Sequence, residues 1–225
     1  MEQALMCDAP VRLAGSELGA HPHICAFFHD EQEEARVLLP FIKEGLECGD
    51  KAMHVVDPVV CRQHVQHLES QGLAITQAEQ RGQFEVHGWD EFYLAGGSFD
   101  QDRMLATIEQ VLVGARHDGF RRTRTVCHME WALEEHPGVD QVVEYEIRAN
   151  LMWARVSDPV ICVYDLRRFS GGVVMGVLRA HPMILIGHTV QENPFYVPPE
   201  EYLEELRSRR YGRIGRGDQA APELH

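Results

Sequence analysis

The 225-residue chain predicts a three-layer α/β fold, a largely parallel sheet with helices on both faces, and three observations carry that reading. Short apolar runs alternate with amphipathic helical segments about six times along the chain. Runs such as Pro159–Asp165 are almost continuously apolar, as a strand covered on both faces must be. The opening unit, residues 23–58, reads as strand, helix, strand, in the manner of a nucleotide-binding fold. Its strand-to-helix turn, however, carries Phe28-His29-Asp30-Glu31-Gln32-Glu33-Glu34 where such a protein places glycines and a lysine around phosphate.

The elements follow in order. Residues 1–20 are short, mixed and rich in small residues, and are expected to be a flexible leader, with the ordered domain spanning 21–206. After the strand at 23–28, Leu38, Phe41, Ile42 and Leu46 recur at helical spacing until Cys48-Gly49-Asp50 stops the helix. Ala52–Val56 is a strand, and Pro58 restarts a helix that runs to about Ser70. Gln83–His87 alternates as a strand and leads into an aromatic loop, Trp89-Asp90-Glu91-Phe92-Tyr93.

Asp100–His117 presents Met104, Leu105, Ile108, Leu112 and Ala115 on one helical face, and Thr123–Met129 is the next strand. Gly138–Arg155 is an amphipathic helix with Val142, Val143, Ile147, Leu151 and Ala154 inward, followed by the strand Pro159–Asp165. A helix over Ser170–Ala180 and a last strand over Met183–Gly187 close the sheet. Residues 188–206 read as a Pro-punctuated loop ending in a short helix, Glu200–Leu206, and 207–225, mixing Arg with Gly, as a flexible tail.

Composition excludes several function classes. A net charge of −14 opposes general binding to nucleic acid or anionic membrane, which must match phosphate charge with Lys and Arg. The only two lysines, Lys43 and Lys51, stand outside any G-K-[ST] context. Six cysteines lie scattered without the dense spacing of a disulfide framework, so reduced thiols are expected. No basic start precedes an apolar run and no stretch reaches the ~18 apolar residues of a membrane span, which points to the cytoplasm.

In an open parallel sheet, ligands bind at the carboxyl ends of the strands. The residues expected there are Phe28 and His29, then Asp57, then Trp89, Phe92 and Tyr93, then Glu130 and Trp131, then Tyr164 and Asp165. Aromatic walls beside a few acids suit a small, partly apolar organic molecule. Any one of these aromatics could instead be a core residue capping its strand.

His23 and Cys25 share a strand face by period-2 alternation, and Cys127 and His128 lie on a strand that could be adjacent. The chain has no C-x-x-C pair and no familiar zinc spacing, so neither metal nor cofactor is expected. His181 and His188 flank the last strand, where hydrogen bonding to the sheet end is the default and ligand contact the alternative.

These segments also carry a family likeness. His23-Ile24-Cys25-Ala26-Phe27-Phe28, Leu39-Pro40-Phe41-Ile42-Lys43-Glu44-Gly45-Leu46 and Gly49-Asp50-Lys51 resemble the opening of the MEDS domain, the methanogen/methylotroph, DcmR-type sensory domain. The resemblance continues through Trp89–Leu94, Gly97–Asp100, Met129-Glu130-Trp131 and Glu144-Tyr145-Glu146 with Asn150. It ends on Cys162-Val163-Tyr164-Asp165, Arg168-Phe169 and Ala180-His181-Pro182, covering roughly residues 21–203.

It implies a RecA/KaiC-like fold without a phosphate-binding loop and a non-enzymatic module that senses simple hydrocarbon derivatives. Members stand alone or are joined to helix-turn-helix, histidine-kinase or anti-sigma-type modules. Relatives read Gly-Glu-Met-Ser-Trp where this chain has Cys127-His128-Met129-Glu130-Trp131, so the ligand's identity does not carry over.

The expected function is therefore a sensor of a small organic ligand that signals to a protein partner, such as a histidine kinase, anti-sigma factor or transcription regulator, with homo-oligomerisation open. The expected ligand residues are His23, Cys25, Phe28, Trp89, Phe92, Tyr93, Glu130, Trp131, Tyr164, Asp165 and His181. The alternatives are a metal or redox sensor built on Cys25, Cys127 and nearby histidines, and a divergent nucleotide-binding enzyme.

Overall fold

A computed structural model describes residues 10–19 and 22–214. Its elements in chain order are β1 (Arg12–Leu13), β2 (Ser16–Glu17), β3 (His23–Phe28), α1 (Glu31–Glu47), β4 (Lys51–Val56), α2 (Cys61–Ser70), α3 (Ile75–Gln80), β5 (Phe84–Gly88) and α4 (Trp89–Phe92). There follow α5 (Gln101–His117), β6 (Thr123–His128), α6 (Val142–Trp153), β7 (Val160–Asp165), α7 (Gly171–Ala180), β8 (Met183–Ile186), β9 (Thr189–Glu192) and α8 (Pro199–Ile214). Seven strands form one sheet in the order β5-β4-β6-β7-β3-β8-β9, parallel throughout except for the antiparallel edge pair β8 and β9.

Period-2 alternation divides the strand residues between two cores. Ile24, Ala26, Phe28, Ala52, Val126, Ile161 and Val163 pack with α1, whose apolar stripe is Val37, Leu38, Phe41 and Ile42, and with Leu68, Ile75 and Ala78 of α2 and α3. Cys25, Phe27, Val55, Cys127, Val160, Cys162 and Tyr164 face the other way, onto Met104, Ile108 and Leu112 of α5, Tyr145, Ala149 and Trp153 of α6, and Val177 of α7. The central strands β3, β4, β6 and β7 are thus covered on both sides, which is why their sequence runs read as apolar without clear alternation.

Five sequence expectations change. The leader is not loose over its described part: residues 12–17 form a β-hairpin, and Val11 and Leu13 are buried in the core beside α1. The stretch 71–82 contains α3, whose two buried apolar residues, Ile75 and Ala78, are too few to mark a helix by period. The loop after the last predicted strand contains β9, which pairs with β8 and covers the sheet's edge.

The aromatic loop is a short helical turn, α4. The C-terminal helix also extends well past 206, through residues assigned to the tail. The segments 1–9 and 215–225, and residues 20–21, lie outside the described residues.

Candidate functional site

A crevice of about 530 Å³ lies at the carboxyl ends of β3, β4, β6 and β7, between α1 and α2. Its apolar wall is Phe28, Leu38, Leu39, Ile42, Val56, Val126 and Val163. Its polar groups include Glu34 from α1, His54 from β4 and Asp57 after it, His64 and His67 from α2, His128 from β6 and Glu130 after it, and Asp165 at the end of β7 with Arg167 and Arg168 beyond it.

The turn that would face phosphate in a nucleotide site is closed by the chain's own carboxylates. Asp30 is the N-cap of α1, its Oδ1 accepting from the Glu33 amide at 2.8 Å, and Glu33 Oε2 accepts in return from the His29 amide at 2.8 Å. This reciprocal cap satisfies donors that an anion would otherwise take and places negative charge on them. The His29 amide holds Glu33 below the usual carboxylate range.

Three histidines at the crevice differ in charge because their surroundings differ. Burial holds His54 neutral, its pKa well below that of a free imidazole. His54 Nδ1 lies 2.7 Å from His64 Nε2, while His54 Nε2 has no hydrogen-bond partner. Burial and the neighbouring His128 charge bring His64 down to about 4.

His128 behaves oppositely. Burial disfavours its charge, but Glu34, whose Oε1 is 3.2 Å from His128 Nε2, and then Glu130 push it up to about 9. The crevice floor therefore carries two neutral imidazoles beside an ion pair at neutral pH.

A pKa raised above the unfolded value adds stability that is complete below about 6.5 and is lost as pH rises through about 9. Unfolding free energy is expected to fall by up to roughly 3 kcal/mol across that window, with the loss largely absent in Glu34→Gln. Urea denaturation of both proteins below pH 6 and above pH 9, at about those two limits, measures it. Equal slopes in the two proteins would remove Glu34 as the cause.

Of the expected ligand residues, the structure brings Phe28, Glu130 and Asp165 to the crevice. Trp89 and Phe92 are partly buried against the α5/α6 core, on the side of the sheet away from α1. Tyr93, Trp131 and Tyr164 are fully enclosed in that same core, so the aromatic rim splits between the two sides. Cys25 is buried among them, and Burial pushes its thiol far above the ordinary range. His23 and His181 lie on this side too, converging with Glu146 of α6 and Cys162 of β7 into one buried polar cluster.

Of the donors weighed for a metal, His23 converges there, but Cys25 and Cys127 do not. Sequence reasoning missed His54, His64 and Glu34 at the crevice and Glu146 and Cys162 beneath the sheet, and weighed His128 only as a metal donor. One signal was available: His54 in an apolar strand and Glu146 in an apolar helix stripe are polar groups at buried positions, which need a reason.

Residues 22–182 match the family described as the MEthanogen/methylotroph, DcmR Sensory domain, MEDS. The chain belongs to the MEDS family. Among curated proteins it is similar to the transcriptional repressor DcmR of Methylorubrum extorquens, with 27% identity over 176 residues. That match takes in 77% of this chain and 63% of the repressor, so this chain accounts for less than two thirds of the repressor's length.

Among solved structures it is similar to a KaiC-like protein of the hyperthermophilic archaeon Pyrococcus horikoshii, with a TM-score of 0.54 and 14% identity. That match covers 76% of this chain and 73% of the archaeal one. The sheet is thus a RecA-like α/β fold, and the family to which the chain belongs is described as a sensory domain. Among the described residues no helix is long and apolar enough to cross a membrane.

Proposed function

We propose that this MEDS domain is a non-enzymatic, cytoplasmic sensor that binds a small, partly apolar organic molecule in the crevice and passes a conformational change to a protein partner. The observation that supports this most is the make-up of the crevice. Apolar walls from α1, β6 and β7 meet a few polar groups, among them His64, His128 and Glu34, at the carboxyl edge of the sheet. Such a site suits a short alcohol, amine, ketone or haloalkane, whose carbon chain contacts Leu38, Ile42, Val126 and Val163 while one polar group meets an imidazole.

Against a rebuilt nucleotide site stands the reciprocal Asp30/Glu33 cap on α1, since phosphoryl transfer needs cationic and N–H stabilisation at that point. The net charge of −14 favours output through a protein partner, or through self-association, over direct contact with nucleic acid.

A thermal-shift screen of the full chain against short alcohols, amines, ketones and haloalkanes tests the reading, because binding to the folded state raises the melting temperature. Ala35 of α1 lines the crevice and is only partly buried, so Ala35→Trp should fill the space while preserving the fold. At least one compound class is expected to stabilise the wild type and to lose that effect in Ala35→Trp. Shifts of equal size in both proteins, or none from the whole screen, would refute binding in the crevice.

A further inference from the structure

The buried cluster beneath the sheet has a composition that hydrogen bonding alone does not explain. It draws His23 from the start of β3, Cys162 from the middle of β7, Glu146 from α6 and His181 from the turn after α7, and every one is almost completely enclosed. Their inward atoms lie within 4.8 Å of one another. Glu146 Oε2 is 3.2 Å from His23 Nε2 and 3.5 Å from His181 Nε2, and Cys162 Sγ is 3.5 Å from His23 Nε2.

The outward atoms determine which way each group presents its lone pairs. His181 Nδ1 is 2.8 Å from the Val177 carbonyl, which can only accept, so Nδ1 carries the proton. His23 Nδ1 is 2.9 Å from Asn150 Oδ1, and the Asn150 amide is oriented by its Nδ2 donating to the Glu146 and Ala180 carbonyls. His23 Nδ1 is therefore also the donor. Tyr164 OH donates to Glu146 Oε1 at 3.0 Å, which leaves Oε2 to face the imidazoles.

In neutral rings both Nε2 atoms then present lone pairs toward a carboxylate oxygen. Only the Cys162 S–H can supply a proton among the four atoms, and His181 Nε2, fully buried, has no hydrogen-bond partner. A buried set of acceptors aimed at one point lacks its positive centre.

We propose that His23 Nε2, Glu146 Oε2, Cys162 Sγ and His181 Nε2 are the ligands of a tetrahedral site for a divalent transition metal of the zinc type. Zinc bonds of about 2.0–2.3 Å to N, O and S, arranged tetrahedrally, put neighbouring ligand atoms roughly 3.2–3.8 Å apart. Three of the six separations, 3.2, 3.5 and 3.5 Å, fall in that range, and all six lie within 4.8 Å. Contacts of 3.2 Å between nitrogen and oxygen and 3.5 Å to a sulfur also suit hydrogen bonds, so what points to a metal is the convergence of all four donor atoms and the buried His181 Nε2 that has no hydrogen-bond partner.

The outer contacts to Val177, Asn150 and Tyr164 are those that fix ring orientation and carboxylate direction around a bound metal. Thiolate, imidazole and carboxylate together favour zinc or cobalt over magnesium or calcium. Binding converts the Cys162 thiol to a metal-bound thiolate, and the displaced proton leaves to solvent, one per metal. The site joins β3, β7, α6 and the turn after α7 on the side of the sheet opposite α1, so it is separate from the crevice and stands or falls independently of it.

The test uses the full chain, stripped with a chelator under reducing conditions, reloaded with Zn(II) or Co(II) and desalted. Close to one metal per chain is expected, with a raised melting temperature and, for Co(II), a thiolate-to-metal charge-transfer band with tetrahedral d–d absorption. Cys162→Ser should abolish the charge-transfer band, His181→Gln should reduce occupancy, and Asn150→Ala should weaken metal affinity about 10–100-fold. Should the variants fail to fold, the wild-type stoichiometry and cobalt spectrum decide alone.

Wild-type protein that retains well under one metal per chain, or that binds cobalt without the thiolate band, would overturn the proposal. So would metal lost in His64→Gln but kept in both Cys162→Ser and His181→Gln, because the ligands would then be the crevice histidines.

Discussion

Replacing Trp131 with alanine is expected to cost roughly 3–5 kcal/mol of stability, the range for deleting a fully enclosed large aromatic. Its ring is 0% exposed and lies nearly parallel to Tyr93, with centroids 4.5 Å apart and 12° between planes. Phe99 tilts against it at 4.5 Å, and Tyr145 in turn meets Phe99 edge-on at 5.3 Å. Truncation would therefore open a cavity in a four-ring stack that joins the turn after β6 to α4, α6 and the loop before α5. Chemical denaturation measures the cost. In any variant that stays folded, affinity for a crevice-bound effector should be unchanged, because Trp131 does not line the crevice. A loss below about 1 kcal/mol accompanied by weakened effector binding would return Trp131 to the ligand site.

Arg124→Leu is expected to be comparably destabilising, by roughly 3–5 kcal/mol, for an electrostatic reason. Arg124 stands on β6 with its side chain 2% exposed, its Nε 2.8 Å from Asp50 Oδ2 and its Nη1 2.8 Å from the Phe41 carbonyl. The guanidinium also lies over the Phe41 ring at 4.9 Å and reaches Glu44 Oε1 at 3.3 Å. Gly45 makes the room, since a Cβ there would come within 2.6 Å of Arg124 Cδ.

Leucine would remove the nearer cation from buried Asp50, leaving it the longer 3.5 Å contact to Arg122, and would also take away the Nη1 donor that satisfies the Phe41 carbonyl. Adding Asp50→Asn should recover part of the loss, so urea denaturation of both single variants and the double variant isolates the coupling. Simple additivity would show that the pair does not interact.

The element order was legible because helix and strand periods are local. Leu38, Phe41, Ile42 and Leu46 mark α1 from the sequence, and the apolar runs at 23–28, 52–56 and 160–165 mark strands whose two-sided burial follows from helices falling between them. The missing phosphate loop was equally legible, since glycines and a lysine are either in the turn or they are not. The hairpin at 12–17 and β9 were not: two to four residues carry no period, and both exist through what they pack against or pair with.

The sequence by itself thus determined the three-layer fold, the family and the carboxyl-end location of a crevice. Tertiary structure decided which side chains share a site. Phe28 and Asp165 sit on the α1 side while Tyr164, one residue from Asp165, turns into the opposite core, because successive strand residues face opposite ways. His23 meets Asn150 across 127 residues and Cys162 across 139, since strand order places β3 beside β7 and the following crossovers bring α6 and the end of α7 over them. Local periodicity holds no information about that order, which is settled only when both faces of the sheet are covered at once.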